Sequence, residues 1–584
     1  MSFTTRPELS GSFGMVASTH WLASGAGMAV LERGGNAFDA AVAAGFVLQV
    51  VEPHLNGPGG EVPVIAWSAE RGEPFVVCGQ GVAPAEASVG LLRDELGLDV
   101  VPGTGLLGAC VPGAFDAWML LLLEHGTLRL GEALEHAIGY AAGGFPALDR
   151  IAATIDRVAE LFTSHWPSSA ELWLPAVRAG GQMRNPALAE TYTRIVREAE
   201  AATRDRDGQI EHARATWRAG WVAEAIVGFV RSNAVLDASG RRHRGLLSEA
   251  DLAGWRATVE PPLTLDYRGH TVCKTGPWGQ GPVFLAQLAL LEGLDLAGMG
   301  RESAEFVHTV IEGAKLAFAD REAFYGDSGG PVPVEALLSA GYAAERRALI
   351  GEDASLELRP GAPGGARPRL PSRLAAGAAR AAAAGVGEPT RGDTCHLDVA
   401  DRHGNLVSAT PSGGWLQSSP AIGGLGFCLG TRAQMFWLEE GLPSSLVGGV
   451  RPRTTLSPSL ALRDGEGWMA FGTPGGDQQD QWSLLFLLSV VDHGMNLQEA
   501  IDAPAFHSTH FPSSFHPRGA QPGRMEIESR AGEALIGALR ARGHDVEVTG
   551  PWTLGRLSAV AREPGGVLRA AANPRGMQGY AAGR

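Results

Sequence analysis

The feature that most constrains this chain is a low-complexity segment past its midpoint. Residues 359–390 read RPGAPGGARPRLPSRLAAGAARAAAAGVGEPT, built almost wholly of Ala, Gly, Pro and Arg without an aromatic side chain. Such a segment cannot bury enough apolar surface to offset the entropy lost when it is ordered. We therefore expect a flexible linker over 359–393, or a surface helix-coil segment, with differently patterned parts of the chain on either side.

The part before the linker has helical periodicity. Apolar residues recur at helical spacing over 21–51, interrupted by GGN (34–36), which predicts a helix, a tight turn and a second, buried helix. Amphipathic stretches predict further helices at 112–123, 131–142, 188–202 and 302–324.

The part after the linker has strand-like patterning. Short alternating or apolar runs lie at 394–399, 406–411, 456–462 and 468–471, and the turn sequences HGN (403–405) and DG (464–465) split them into hairpins. A long helix is predicted at 479–491. Together the two parts predict a layered α+β fold whose sheets take strands from both sides of the linker.

Composition limits both the size and the class of the fold. A length of 584 residues suggests three or four domains, but sheets built from strands on both sides of the linker argue for fewer. The family resemblance described below implies one interlocked domain. With 45% hydrophobic residues, 14 Trp and 20 Phe, the chain can build a large core. A net charge of −15 argues against a nucleic-acid partner.

The sequence also argues against membrane and disulfide-rich classes. The apolar runs are well short of the roughly 20 residues that span a bilayer, so no membrane contact is expected. The N-terminal stretch has no apolar segment after a basic start, which predicts no signal peptide and a cytoplasmic location. Five widely spaced cysteines without a C-x-x-C pair fit a reducing compartment.

No metal or cofactor is expected. His507, His510 and His516 form the densest histidine group, but their spacing is irregular and no carboxylate is near, whereas zinc sites use three or four ligands. The stretch GPGGEV (57–62) follows a helical pattern, so it does not fit the dinucleotide fingerprint.

The end of the linker has a chemical interpretation. A cut between Asp393 and Thr394 would give Thr394 a free α-amino group, whose pKa near 7.7 to 8.0 suits it to act as base for the hydroxyl of the same residue. The hydroxyl could first attack the Asp393 carbonyl, giving an ester that water cleaves. The alternative is that Thr394 only begins a strand after a linker.

A second motif would complement such a nucleophile. The predicted strand 468–471 ends in GTPGGD (472–477), followed by the helix at 479–491. Glycines at a helix N-terminus let backbone N–H groups face an anion without a Cβ in the way, as an oxyanion hole requires. The alternative is a Gly-rich turn that binds nothing.

These motifs belong to a longer series. It comprises GGNAFDAAVAAGFVLQVVEPHLNGPGG (34–60), ACVPGAFDAW (109–118), AKLAFADREAFYGD (314–327), DTCHLDVADRHGNLVSAT (393–410), RPRTTLSPS (451–459), GTPGGD (472–477) and NPRGMQGY (573–580). In this order they resemble the γ-glutamyltransferase family of N-terminal-nucleophile hydrolases. The resemblance implies a four-layer αββα sandwich, autocleavage into a large subunit (1–393) and a small subunit (394–584), and a Thr that forms an acyl-enzyme without a cofactor.

The resemblance also implies roles for individual residues. Thr394 falls on the nucleophile, Gly475 and Gly476 on the oxyanion glycines, and Ser412 on a Thr whose hydroxyl bonds the nucleophile. Thr454 and Thr455 replace a Ser-Ser pair that binds the substrate carboxylate. In the turn HGN (403–405), we expect Asn405 to adopt positive φ.

Two departures concern substrate recognition. Where relatives that act on γ-glutamyl groups have an Arg for the α-carboxylate, this chain has Gln80. Where they have an acid for the α-ammonium, the window 427–437 contains neither Asp nor Glu, with Met435 near the expected position, and Arg432 adds a cation. A buried ammonium without an anion costs several kcal/mol. We therefore expect altered recognition, with Gln80, Arg432, Thr454 and Thr455 facing the substrate.

Three hypotheses follow from the sequence. The first is a self-processing Thr-nucleophile amide hydrolase or acyltransferase acting on a small acyl or γ-glutamyl-like amide, with water or an amine as acceptor. The second is an authentic γ-glutamyltransferase or glutathione hydrolase, and the third is an unprocessed, non-catalytic scaffold or binding protein. In the first two, the cleaved subunits stay associated, and pairing of two processed units into a homodimer is left open.

Overall fold

The structure is a computed structural model that describes residues 3–176, 181–375 and 394–584. Its strands are β1 Leu9–Gly11, β2 Gly14–Ser18, β3 Val62–Ser68, β4 Glu73–Gly79, β5 Phe145–Pro146, β6 Gln182–Met183, β7 Val235–Leu236, β8 Arg242–His243, β9 Thr258–Glu260, β10 Leu263–Tyr267, β11 His270–Lys274, β12 Leu397–Asp401, β13 Leu406–Ala409, β14 Ser459–Arg463, β15 Glu466–Gly472, β16 Phe506–Ser508, β17 Arg524–Glu528, β18 Asp545–Thr549, β19 Ser558–Arg562, β20 Leu568–Ala572 and β21 Tyr580–Gly583.

The α-helices lie mainly before residue 350. They are α1 Trp21–Glu32, α2 Ala37–Val51, α3 Ala114–His125, α4 Leu130–Gly143, α5 Asp149–His165, α6 Pro167–Trp173, α7 Pro186–Ala202, α8 Arg206–Ala219, α9 Trp221–Ser232, α10 Glu249–Gly254, α11 Gly281–Glu292, α12 Leu296–Met299, α13 Ala304–Phe324, α14 Val334–Leu337, α15 Ala340–Arg347, α16 Ser372–Ala375, α17 Gln479–Val491, α18 Leu497–Asp502 and α19 Glu533–Ala541. The helices and strands predicted from periodicity are present, with ends shifted by a few residues.

Two antiparallel seven-stranded sheets form the centre of the molecule. One sheet has the order β1-β20-β19-β15-β14-β11-β10, and the other has the order β21-β2-β12-β13-β3-β4-β9. In the second sheet, β12 pairs with β2 and β13 pairs with β3, so strands after residue 393 lie between strands that precede it. The expectation that both sides of the linker contribute strands to the sheets is confirmed.

Alternation along the strands defines four layers. Met15 and Ala17 of β2 point into a core between the two sheets, together with Leu460 and Ala470 of the opposite sheet. Val16, between them, points the other way into a core shared with the long helices on that side. A third core packs α11, α13 and α17 against the outer face of the other sheet. The order helix, sheet, sheet, helix confirms the predicted αββα sandwich.

The buried helix α2 illustrates how local sequence fixes an element. Asn36 caps the helix by accepting from the backbone N–H of Asp39, and the Asp39 carboxylate accepts from the backbone N–H of Asn36. This reciprocal capping box satisfies two groups that a helix start otherwise leaves unpaired. Gly34, with φ of 99°, makes the turn from α1.

The segment expected to be a linker is anchored in its first part. Arg359 pairs with Glu312, the Gly361 N–H donates to Asp320, and Arg369 donates to the carbonyls of Gly329 and Gly441. Ala366 and Leu370 also pack against a buried apolar cluster, so the segment is held by arginine and backbone hydrogen bonds together with a few small apolar contacts. Composition alone missed this anchoring because most of its partners are polar groups elsewhere in the chain. Residues 376–393, including Asp393, lie outside the described residues.

Two further observations concern the sequence predictions. The positive φ in the β12–β13 turn belongs to Gly404 (93°) and not to Asn405, which corrects that prediction. The Asn405 side chain instead accepts from the Ala69 N–H and donates to Asp401. Among the described residues, no helix is long and apolar enough to cross a bilayer.

Candidate active site

Thr394 lies at the upstream end of β12, next to the extension of β13. It forms an antiparallel bridge with Ser412, and the Cys395 N–H donates to the Pro411 carbonyl at 3.0 Å. Directly opposed residues project their side chains to the same face of a sheet. The Thr394 hydroxyl donates to the Ser412 Oγ at 3.2 Å, and both residues are buried. The structure therefore brings together the first two of the predicted site residues.

Strand alternation sets the direction in which these side chains face. His396 faces the opposite sheet, because its ring lies 2.4 Å from where a Cβ on Gly472 would stand. Residues i and i+2 of a strand share a face, so Thr394 faces the same side. Cys395 belongs to the core on the other face, where its thiol donates to Glu52 at 3.0 Å. Burial raises the pKa of this thiol well above its ordinary value, which disfavours a reactive thiolate.

The GTPGGD turn follows Gly472 at the end of β15. Gly475 and Gly476 have φ of 126° and 58°, and a Cβ on Gly475 would lie 2.2 Å from the Trp482 ring. Only glycine adopts this path without strain and overlap. The turn leads directly into α17, whose N-terminus carries the positive end of the helix dipole. The contact between His396 and Gly472 therefore places the segment that leads into β12 against the start of the glycine turn.

Arg432 touches the hydroxyl pair. Its Nη2 donates to the Ser412 Oγ at 3.1 Å, and its Nε donates to the Glu61 carboxylate at 2.6 Å. Arg432 and Glu61 are 2% and 4% exposed in their side chains, so both charges are buried. Glu61 thus supplies a buried counter-charge to Arg432, the residue that the sequence analysis described as an added cation. Burial raises the pKa of Glu61, and Arg432 opposes that rise.

Glu61 was missed by the sequence analysis. It stands just before β3, and its N–H and carbonyl pair with the carbonyl and N–H of Ser412 at 2.9 and 3.0 Å. Thr394, Ser412 and Glu61 therefore form one row across three neighbouring strands. The preceding Gly59 and Gly60 let the backbones of 412–414 and 428–429 approach closely. The sequence does show an acidic residue directly after the GPGG motif, which could have marked Glu61 as a candidate. Its partners Ser412 and Arg432 could not be inferred, because they lie more than 350 positions away in the chain.

The remaining predicted contact residues border this row. In the β3–β4 ladder Val62 pairs with Gly79, so Gln80 is the next position opposite Glu61. Its Nε2 donates to the Gly81 carbonyl, while its buried Oε1 has no partner among the described residues. The Thr454 N–H donates to the Trp278 carbonyl at 2.9 Å. The buried Thr455 hydroxyl has no partner within the described part of the chain.

A buried charge cluster lies behind the glycine turn. Asp477 accepts from Arg321 and from the Ser514 hydroxyl, and Glu322 accepts from Arg453 and Arg518. The three arginines exceed the two carboxylates by one positive charge. Arg518 also donates to the Met435 carbonyl at 2.6 Å, so an arginine contacts the window where an acid was sought.

Polar residues also line the inner face of β12 and β13 below the hydroxyl pair. The His396 Nε2 lies 3.0 Å from Asp398, and its Nδ1 lies 2.9 Å from the Thr410 hydroxyl. The Ser558 hydroxyl donates to Asp398 at 2.7 Å. The sequence analysis did not single out this buried row. Its signal is the polar residue at the two alternate positions after Thr394, which are His396 and Asp398.

The expectation that no carboxylate lies near the histidine group is wrong, since Glu526 lies 3.9 Å from the Nε2 of His507. His510 bonds the Gly523 N–H and the Glu357 carbonyl, while His507 packs against Trp482. In the described parts of the chain, the group with metal-like spacing is His308, Glu312 and His544. Its carboxylate already accepts from Lys315 at 2.6 Å and from Arg359 at 3.1 Å. These two cations neutralise the carboxylate that a metal ion would need.

Two antiparallel sheets between helical layers, with the segment that leads into β12 packed against the end of β15, define the protein as having an N-terminal-nucleophile hydrolase fold. A family model described as Gamma-glutamyltranspeptidase matches residues 23–583. The chain belongs to this family, as its sequence motifs predicted.

Relatives cover nearly the whole chain. The Acylase ACY 1 proenzyme of Pseudomonas sp. (strain SE83) is 33% identical in an alignment of length 576 that covers 96% of this chain and 92% of the relative. The solved structure of LmbA2991HD is 56% identical with a TM-score of 0.94 and covers both chains completely. Cephalosporin acylase from Bacillus halodurans is 28% identical with a TM-score of 0.82, covering 100% of this chain and 97% of the other. The protein is thus an enzyme of the amide-bond hydrolase and acyltransferase type.

Proposed function

We propose that the protein is a self-processing amide hydrolase or acyltransferase whose nucleophile is Thr394. Cleavage of the 393/394 bond would free the Thr394 α-amino group to act as base for its own hydroxyl. The hydroxyl gives its proton to the α-amino group and attacks an amide carbonyl, while the backbone N–H groups of Gly475 and Gly476 stabilise the oxyanion and Ser412 orients the nucleophile. The C–N bond then breaks, the amine leaves with that proton, and an acyl-enzyme ester on Thr394 remains. Water or an amine then releases the acyl group.

One observation carries this proposal. The Thr394 hydroxyl lies 3.2 Å from Ser412 on the inner face of its sheet, and the ring of His396, on the same face, packs against Gly472 at the start of the glycine turn. A nucleophile must be close to an oxyanion site for acyl transfer. The acylases, glutathione hydrolases and oxamate amidohydrolase among the relatives carry names that agree with amide chemistry.

The substrate is proposed to be a small acyl or γ-glutamyl-like amide that is recognised by residues other than those of γ-glutamyl-specific relatives. Gln80, Arg432, Thr454 and Thr455 would border its acyl part. The buried hydroxyl of Thr455 and the excess positive charge of the arginine cluster favour a polar or anionic end near the 454–455 segment. An authentic γ-glutamyl substrate is the second candidate, favoured by the glutathione hydrolases among the relatives.

The large and small subunits produced by cleavage are proposed to remain associated. Residues 394–584 contribute β12, β13 and β21 to one sheet, and β14, β15, β19 and β20 to the other, while the upstream chain contributes the rest. Several relatives are named proenzymes, which supports processing.

The first prediction tests the nucleophile. Thr394→Ala removes the attacking hydroxyl, so we expect no cleavage at 393/394 and a loss of hydrolysis of more than about a thousandfold. Thr394→Ser keeps a hydroxyl and should retain both activities in reduced form, while Cys395→Ser should retain them in full. Intact mass, denaturing gels and native size-exclusion chromatography follow the two products.

Cleavage of the Thr394→Ala protein at the same bond would overturn self-processing. A wild-type protein that stays a single 61.0 kDa chain after prolonged incubation would favour a non-catalytic scaffold. Turnover of γ-glutamyl-p-nitroanilide, glutathione, oxamate, and acetyl and glutaryl p-nitroanilides is then compared. Rapid turnover of the γ-glutamyl compounds alone would select the second candidate.

A further inference from the structure

Arg432 connects the two halves of the candidate active site. On one side its Nη2 donates to the Ser412 Oγ at 3.1 Å. On the other side its guanidinium carbon lies 5.9 Å from the centroid of the Phe515 ring. The same ring lies 2.8 Å from where a Cβ on Gly476 would stand. Arg432 and the Phe515 ring together therefore connect the hydroxyl pair to the glycine turn.

The guanidinium is held on three sides. Glu61 accepts from its Nε and Nη2, and the rings of Trp415 and Phe515 lie within cation–π distance. Glu61 is itself fixed, because its backbone pairs with that of Ser412. Arg432 thus bridges the side chains of two residues that are already joined by backbone hydrogen bonds. A planar fork with several donors can make this bridge, whereas a lysine ammonium cannot reproduce it.

The bridge restricts the Ser412 hydroxyl. The oxygen accepts from Thr394 on one side and from Arg432 on the other, so both of its lone pairs are directed. A hydroxyl that accepts from a cation is also held more firmly than one that accepts from a neutral donor. Rotation of Ser412 away from Thr394 would break the hydrogen bond to Arg432.

We propose that Arg432, held by Glu61, is a positioning residue that fixes the Ser412 hydroxyl against Thr394 and sets the charge around the nucleophile. This inference rests on the proposed Thr394 chemistry and adds a role for the Glu61–Arg432 pair. It assigns Arg432 an effect on the rate of the chemical step beyond any contact with substrate.

The pair also gives a signature in the pH profile. The Thr394 α-amino group would titrate near pH 7.7 to 8.0 and must be neutral to act as base. A nearby cation lowers the pKa of an amine and a nearby anion raises it. Removing Arg432 should therefore move the rising limb of kcat/KM to higher pH, and removing the charge of Glu61 should move it to lower pH.

Other ionisable groups surround this strand and are unchanged in these variants. The thiol of Cys110 interacts with the Glu61–Arg432 pair itself. These groups are all buried: Glu52, His54, Cys110, His396, Asp398, Asp477 and Arg556. Their influence on the α-amino group is the same in the wild type and in the variants. Shifts of the rising limb in opposite directions, in the Arg432 and the Glu61 variants, can therefore be assigned to the Glu61–Arg432 pair.

The experiment compares Arg432→Gln, Arg432→Lys, Glu61→Gln and the double variant Glu61→Gln/Arg432→Gln with the wild type. Arg214→Gln serves as the matched control, because it breaks a buried pair with Asp116 in the helical layer. The readouts are the 393/394 cleavage rate after cell-free synthesis, by intact mass, and kcat and KM against pH for the anilide that the wild type turns over fastest.

We expect Arg432→Gln to slow cleavage and lower kcat by about tenfold to a hundredfold with little change in KM. The rising limb of kcat/KM against pH should move to higher pH by up to about one unit in Arg432→Gln, and to lower pH in Glu61→Gln. Arg432→Lys should lower kcat without moving the limb, and the double variant should return the limb towards its wild-type position. Arg214→Gln should leave both the limb and kcat in place.

A normal kcat in Arg432→Gln, or a rise in its KM alone, would overturn the positioning role. So would rising limbs that shift in the same direction in Arg432→Gln and Glu61→Gln. If none of the anilides is turned over, an unchanged cleavage rate in Arg432→Gln overturns it, and a slowed rate with normal cleavage in Arg214→Gln supports it. Failure of the proposed function is distinguishable, because it would show as continued cleavage in the Thr394→Ala protein.

Discussion

Gly475 lies against the ring of Trp482, with φ of 126° and no space for a β-carbon. The glycine turn is thus shaped by a contact with the helix that it introduces. Because the proposed oxyanion donors are backbone groups of this turn, their position depends on a path that only glycine can follow.

Gly475→Ala is therefore expected to displace the turn. The added carbon would overlap the Trp482 ring, and we expect hydrolysis to fall by about a hundredfold or more. Gly465→Ala is the matched control, since Gly465 also has positive φ but has no atom within 4 Å of the new carbon. The control should lose about 1 kcal/mol of unfolding free energy through backbone strain and keep its activity. Hydrolysis rates and thermal unfolding check both, and equal loss of activity in the two variants would contradict this account.

Individual residues differ in how far the sequence could predict them. Thr394 and the glycine turn could be proposed because each combines a distinctive residue with an abrupt change of pattern. Glu61 and the Arg432 contact could not, because a strand register and a loop path bring them together. Periodicity predicts that a residue lies in a strand, but it does not predict which residue lies opposite.

The β12–β13 hairpin shows how an element is tied to its neighbours. The Asp401 carboxylate accepts from the backbone N–H groups of His403 and Asn405, and from that of Ala37 at the start of α2. One side chain thus closes the turn and caps a helix from the other side of the linker. The hairpin and the helix were each predicted from local sequence, but the bond between them was not, since it depends on their packing.

Asp401→Ala should destabilise the fold without touching the chemistry. It leaves three backbone donors without their acceptor, each costing about 1 to 3 kcal/mol when buried. We expect a loss of about 2 to 4 kcal/mol in unfolding free energy, partly relieved by water. Asp205→Ala is the control, because it removes one acceptor, for the Gly208 N–H, at an exposed helix start, and should cost about 1 kcal/mol. Denaturant titrations measure both, and equal losses would contradict the role of Asp401.

Across the whole molecule, buried charges join distant parts of the chain. Glu322 of α13 contacts Arg453, Arg518 and the Trp437 indole, which come from three segments after the linker. Burial alone would raise the pKa of Glu322, but the charges of Arg453, Arg518 and Arg321 outweigh it and lower the pKa to about 2.

This pKa predicts how stability depends on pH. A carboxyl with a lower pKa in the folded state stabilises the fold above its ordinary pKa of 4.5, and that stability is lost as pH falls towards about 2. Glu322→Gln should therefore destabilise the protein by about 3 to 5 kcal/mol at pH 7, and the difference from the wild type should shrink below pH 4.5.

Urea unfolding from pH 3 to pH 7 measures this difference. Glu135→Gln is the control, because its pair with Arg33 is more than half exposed and should contribute about 0 to 1 kcal/mol at any pH. A Glu322→Gln deficit that stays constant with pH would contradict the assignment.

The placement of β12 and β13 between β2 and β3 has a consequence for how this protein can vary between species. Each product of the proposed cleavage supplies a pairing edge for the other, where β12 meets β2 and where β13 meets β3. A substitution on one side of the cut is compensated most directly by a substitution on the other. The two products are therefore expected to change together, as a single inherited unit, however completely the bond between them is broken.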